Sequence, residues 1–256
     1  TGAAATTLLF EHSFLLGILA AIIVYALIGI GIGASGTSLL ALIAMKTAVE
    51  RRAAAATITW MLMITGIIVT SIIVGAQLDP YSHERLIAVT AAAGIVAFGI
   101  GLIGVAGMEA KPSVDQKDEG APTSSFRESL QDVLQDQEAR LFTLFIFVSM
   151  LAFATQDLIL EPYAGLLFGM TPGETTSLSG TQHAGVLLGM VLVGVSTAIF
   201  GKRYPGLPRS FIVGGCFGSA LALAALAVST QSAPLWPLKF NIFLLGATNG
   251  AFAVAA

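Results

Sequence analysis

The chain has 256 residues, 55% of them apolar and only 11% charged, with a mean hydropathy of +0.86. That balance excludes a soluble domain of ordinary composition and predicts a protein embedded in a bilayer. A formal net charge of −3 offers nothing to a nucleic-acid partner, and Cys216, alone in an apolar run, excludes a disulfide framework and a cysteine metal site.

A hydrocarbon core of about 30 Å needs roughly 20 apolar residues in helical form. Seven predominantly apolar runs of that order lie at residues 13–45, 53–78, 86–108, 141–170, 184–200, 211–228 and 240–256. They predict an all-α polytopic membrane protein with seven transmembrane helices. The chain opens at Thr1 without a methionine and stops at Ala256 inside an apolar run, so it reads as the central part of a longer protein.

The first run contains "GIGIGASGTS", in which Gly31, Gly33 and Gly36 satisfy G-x-G-x-x-G. A dinucleotide site needs that pattern in a strand-to-helix turn, and here it lies in the middle of a long uncharged run. Gly29 with Gly33 instead makes a small-xxx-small face, repeated by Gly185 and Gly189 in the fifth run, which predicts close helix packing. The second run opens on Arg51 and Arg52, suited to anchor a helix end in the headgroups. Trp60 follows about 12 Å further in by helical rise, deeper than an interfacial tryptophan. It either packs in the bundle or faces a cavity or flat ligand.

Lysine and arginine separate the two sides of the membrane. Loops one, three and five carry Lys46, Arg51, Arg52, Lys111, Lys117, Arg127, Arg140, Lys202, Arg203 and Arg209, whereas the other three carry only Arg85 and Lys239. The odd loops are therefore cytoplasmic, and "DPYSHER" and "TPGETTSLSGTQ" face the other side. The third loop is the longest. Its second half places Phe126, Leu130, Val133 and Leu134 on one helical stripe behind a Ser125/Glu128 capping box. This predicts an amphipathic helix on the cytoplasmic surface, either against membrane lipids or a partner, or simply linking two bundles. The loop divides the chain into 1–108, the last three helices of an N-terminal bundle; 109–140, the central cytoplasmic loop; and 141–256, the first four helices of a C-terminal bundle.

The fourth run holds the stretch "ATQDLILEPYAG". Asp157 and Glu161 are four residues apart, hence on one helical face, and a charge facing lipid would cost several kcal/mol. By rise from Leu141 the two stand about 24 and 30 Å along the helix, in its outer half. Pro162 disfavours helical geometry at Glu161 and predicts a bend or break there. Three roles fit the pair: a mutually repelling proton site, as in a proton-coupled transporter; a contact to a polar group or metal of a bound molecule; or a bond to backbone freed by the proline. His183, at the expected entrance of the fifth helix, adds an imidazole on the same side. No Ser/His/Asp set, metal-binding spacing or credible phosphate loop argues for an enzyme.

The run "LILEPYAGLLFGMTPGETTSLSGTQHAGVLLGM" at 158–190, with "GTSLLALIAMKTAVERRAAAATITWMLMITGI" at 36–67 and "LDPYSHERLIAVTAAAG" at 78–94, resembles the PucC/LhaA family of photosynthetic bacteria. The resemblance implies a major facilitator-like bundle, these seven helices belonging to a parent of twelve, in the bacterial inner (intracytoplasmic photosynthetic) membrane. It implies a non-enzymatic, chaperone-like role in assembling light-harvesting complexes. Light-harvesting alpha and beta polypeptides, and the reaction centre, become expected partners, and bacteriochlorophyll an expected cofactor. Gln156, Asp157, Glu161 and His183 would then be candidate donors to a pigment or ligand, with Tyr163 or Trp60 stacking on it. The first helices and the loop motif of major facilitators lie outside this chain, so the transporter alternative stays open.

Overall fold

The computed structural model describes residues 6–10, 13–106, 131, 134–233 and 235–255. Among them all regular structure is helical. In hydrocarbon a backbone must satisfy its own polar groups, and the helix does so within one segment. The helices are α1 (Phe14–Lys46), α2 (Arg52–Leu78), α3 (His83–Val105), α4 (Gln137–Phe168), α5 (Pro172–Phe200), α6 (Leu207–Ser229) and α7 (Leu238–Ala255), with a 3₁₀ turn at Val49–Arg51 before α2. α1 to α6 are long and apolar enough to cross a membrane. Of the seven expected spans the last, α7, is apolar but shorter, its 18 residues reaching about 27 Å.

Two boundaries differ from expectation for identifiable reasons. α4 does not break at Pro162; the proline stands inside the helix. Its ring removes one N–H and leaves the Leu158 carbonyl without its usual donor, but unwinding in hydrocarbon would strand several groups at once. The helix stops at Gly169, whose φ of 64° suits only a residue without a Cβ, and the Met170 amide returns to the Ala164 carbonyl at 3.5 Å. α5 starts at Pro172, twelve residues before its expected start at Ala184. The serines and threonines of "TPGETTSLSGTQ" look like a loop by hydropathy, yet Thr171 and Glu174 form a reciprocal capping box with Pro172 at the first helical position. The amphipathic stripe expected at Phe126, Leu130 and Val133, its Ser125/Glu128 cap, and Lys111, Lys117 and Arg127 lie outside the described residues; Leu134 is exposed.

The chain forms two compact units, Thr1–Gly94 with Tyr163–Ala256, and Ile95–Pro162. The loop at 109–140 falls inside the second, whose described segments of α3 and α4 expose large apolar side chains such as Phe98, Ile103, Phe142 and Phe147, a surface suited to hydrocarbon.

In the first unit α5 is the central helix, packed on α2 and on α7, and α7 packs in turn on α6. Glycine sets these distances. A Cβ at Gly185 or Gly189 would fall on the carbonyl oxygens of Phe243 or Ala247 in α7, and one at Gly246 or Gly250 on those of Gln182 or Val186 in α5. Both pairs advance together, so α5 and α7 run parallel through reciprocal small-xxx-small faces. α2 runs antiparallel to α5, with Gly75 against Gly173 and Ser177, and Gly180 against Ser71. Gly215 of α6 lies against Thr248 and Phe252 of α7, a Cβ there meeting the Thr248 carbonyl at 2.8 Å. Leu178, Val193, Ile242 and Leu245 fill the buried interior.

Gly29 and Gly33 make no such contact. Among the described residues a Cβ at either meets nothing within 4 Å, and the packing of α1 against α2 covers only a short stretch. Gly185→Leu is therefore expected to destabilise by about 1–3 kcal/mol or to abolish assembly of the unit. Gly33→Leu should change the thermal midpoint of the detergent-solubilised protein far less. Equal shifts for the two variants would contradict the packing described.

Candidate functional site

Asp157 and Glu161 stand one turn apart on α4, both in the second unit. By helical rise Asp157 is about 30 Å from the start of α4 at Gln137 and about 16 Å from its end at Phe168; Glu161 is about 10 Å from that end. Gln156 and Asp157 are half-buried and Glu161 is exposed, while Leu160 on the same helix is buried. The stripe is thus a carboxylate pair with one member partly enclosed, inside a membrane-spanning helix.

Two residues after Glu161, in the first unit, Tyr163 turns towards α6. Its hydroxyl donates to the Leu226 carbonyl at 2.6 Å and lies against the Ser229 hydroxyl, which itself donates to Leu226 at 2.8 Å. Ser229 is fully buried. Nearby Asn241 of α7, with its amide oriented by its partners, accepts from the Trp236 indole at 3.2 Å and donates to the Ala222 carbonyl at 3.2 Å. The Ser219 hydroxyl donates to the Asn249 side-chain oxygen at 2.7 Å and lies 3.0 Å from the Thr248 hydroxyl. These bonds stitch the end of α4, α6 and α7, with the Leu226 and Ala222 carbonyls taking the Tyr163, Ser229 and Asn241 donors, so that polar groups buried in an apolar bundle are satisfied.

A second polar junction ties α2 to α5. Asp79, the residue capping the end of α2, accepts from the Thr171 hydroxyl at 2.8 Å. Thr171 is also the cap of α5: its hydroxyl accepts the Glu174 amide at 3.2 Å, and its own amide donates to the Glu174 carboxylate at 2.9 Å. An aspartate beside a helix N-terminus is favoured by the macrodipole. Both ends belong to loops that the lysine and arginine pattern assigns to the non-cytoplasmic side, in agreement with the antiparallel course of α2 and α5.

His183 does not stand at a helix entrance. It is the twelfth residue of α5, about 16 Å inside by rise, because α5 begins at Pro172. Its Nδ1 lies 2.9 Å from the Ser179 carbonyl. A carbonyl can only accept, so Nδ1 carries the hydrogen. Trp60, on α2, is 46% exposed. Among the described residues no group of three or more histidine, cysteine or acidic side chains is placed to hold a metal ion.

The structure brings Tyr163, His183 and Trp60 into one unit and leaves Gln156, Asp157 and Glu161 in the other. Reading the sequence missed Asp79, Thr171, Ser229 and Asn241, and the partner glycines Gly246 and Gly250. The T-x-x-E of the α5 cap and the G-x-x-x-G of "GATNG" are visible signals; nothing local marks Ser229 or Asn241. Tyr163→Phe is expected to cost about 1–2 kcal/mol, seen as a lower thermal midpoint. Asp79→Ala, at an exposed junction, should cost less; the reverse order would contradict the burial described.

The sequence profile of a protein family described as PUCC protein matches residues 4–256. The chain is 47% identical over 254 residues to the "Bacteriochlorophyll synthase 44.5 kDa chain" of Rhodobacter capsulatus, covering 99% of this chain and 58% of that protein. It is 28% identical to "Protein PucC" of Rhodovulum sulfidophilum, over 93% of this chain and 50% of the relative. It is 27% identical to an uncharacterized protein of the puhA-bchM intergenic region of Rhodobacter capsulatus, over 91% and 48%. The chain thus spans between about half and three-fifths of these curated relatives. No solved structure matches it.

Proposed function

Because this chain belongs to the PucC protein family, we propose that it serves as a non-enzymatic assembly factor for bacterial light-harvesting antenna complexes. It holds alpha and beta antenna polypeptides, and bacteriochlorophyll, while they combine, working in the intracytoplasmic photosynthetic membrane and alongside the reaction centre. The observation that carries the reading is the family match over nearly the whole chain, joined to relatives whose names refer to bacteriochlorophyll and to PucC. The physical features are compatible with it. α1 and α3 expose long apolar faces, with the Gly29, Gly31, Gly33 and Gly36 stripe of α1 open, the kind of surface on which a single-span peptide packs closely. The parent, in this reading, is a twelve-helix bundle of the major facilitator kind.

A second reading, a proton-coupled secondary transporter, is favoured by one observation: two carboxylates a turn apart in a membrane-spanning helix. The two readings separate on purification of the full-length protein in mild detergent. The assembly reading expects antenna polypeptides and near-infrared pigment absorbance to co-purify, and Asp157→Asn to alter antenna accumulation without any proton-linked flux. Absence of both peptides and pigment, together with proton-coupled uptake in proteoliposomes that Asp157→Asn abolishes, would sink it. Conversion of a supplied precursor to bacteriochlorophyll by the purified protein would instead make it an enzyme.

A further inference from the structure

The seam between α2 and α5 is closed at one end and open at the other, and the open end is basic. The geometry points to a binding site there for an anionic phospholipid, its phosphate met by Arg51, Arg52, Lys202 and Arg203 and its acyl chains lying between the two helices. The site is independent of whether the protein assembles antenna complexes or moves protons.

The two helices run antiparallel, so burial can be followed layer by layer along both. At the Asp79 end, Leu78 and Gly75 of α2 and Gly173 and Gly180 of α5 are buried, with Gly75 against Gly173 and Ser177, and Gly180 against Ser71. The next layer is apolar and also buried: Ile64 with Val186 and Met190, flanked by Ile68 and Leu187. Beyond it the seam opens. Trp60, one turn before Ile64, is exposed. Gly194, fourteen residues after Gly180 and hence on the same face of α5, is exposed with open space where a Cβ would stand. Among the described residues these two border a wedge. It runs about 15 Å from Met190 to the end of α5 at Phe200, and about 18 Å from Ile64 back to the start of α2 at Arg52. That is about half of a 30 Å hydrocarbon core, the depth of one leaflet's chains.

The mouth of the wedge carries charge of one sign. Arg51 and Arg52 stand where α2 begins, Lys202 and Arg203 just past the end of α5, and Arg209 in the first turn of α6, all exposed. In the sequence around them, 46–59 and 191–215, Glu50 is the one acidic residue. The Arg52 Nε–H donates to the Thr47 carbonyl at 3.2 Å, and the Arg203 guanidinium lies 5.8 Å from the centre of the Tyr204 ring, so both are held at the helix ends. The closed end has the opposite character, with Asp79 and Glu174 at its junction. Basic side chains that flank membrane spans meet the headgroup layer, where phosphate is the anion at hand and clustered lysine and arginine draw anionic lipid. An acidic protein would satisfy the charges and leave the apolar wedge bare, and a zwitterionic lipid brings a cation of its own. An anionic phospholipid satisfies wedge and mouth together.

The test offers phosphatidylglycerol and phosphatidylcholine of the same chain length to the full-length protein in mild detergent, and native mass spectrometry counts the lipid retained. Phosphatidylglycerol is expected to be preferred by about tenfold or more. The triple variant Arg52→Gln, Lys202→Gln, Arg203→Gln should lose that preference, whereas Arg85→Gln, beyond the closed end, should keep it. Gly194→Trp fills the wedge with every charge in place and should lower retention of both lipids. Photoreactive p-benzoylphenylalanine in place of Trp60 should cross-link to lipid. Thermal midpoints of all variants report folding separately. Four results would each overturn the inference: equal retention of the two lipids, an unchanged preference in the folded triple variant, displacement of the lipid by inorganic phosphate, or cross-links from position 60 to protein only.

Discussion

The close approach of α5 to α7 governs the first unit. Lipid chains are as apolar as leucine, so helices in a membrane gain little from hiding hydrocarbon and must gain instead from dense contact. Gly185, Gly189, Gly246 and Gly250 remove the side chains that would keep the two backbones apart, and each glycine is seated on a carbonyl of the opposite helix. With that distance fixed, α5 has its other side available for α2, and α7 for α6. The polar contacts come second: the Tyr163 and Asn241 bonds, and the Asp79 to Thr171 bond, join helices that glycine has already brought within reach.

Much of this architecture can be read from the chain. The all-helical class and most of the spans follow from hydropathy, because a bilayer constrains that property directly. Pairing is less legible. Gly185/Gly189 and Gly29/Gly33 have the same spacing, yet one pair is pressed against a backbone and the other is open among the described residues. A spacing rule states that a helix can be approached, not which helix approaches it. Pro162 misleads for a related reason: its local cost is real, but the cost of opening a helix in hydrocarbon is larger and non-local.

The candidate site was legible as residues and not as a place. Asp157, Glu161, Tyr163 and His183 stand out in sequence because polar groups are rare in apolar runs. Their depth depends on helix starts, and hydropathy misplaced the start of α5 by twelve residues because serine and threonine satisfy their hydroxyls within a helix. Moving that start carries His183 from the entrance of α5 to its twelfth residue. Ser229 and Asn241 could not be singled out, since a buried serine and a solvated one look alike until their acceptors are known.

The parallel course of α5 and α7 also bears on how the protein is made. About 57 residues separate Gly189 from Gly246, so at roughly 5–20 residues per second several seconds of translation pass between them. During that interval α5 is already in the bilayer with its glycine groove uncovered, while α6 and the turn after it emerge. A groove cut to backbone dimensions is matched by a helix that brings glycines of its own, and Gly246 and Gly250 meet that condition when α7 arrives. The spacing that shapes the finished unit thus also sets the order in which it can close.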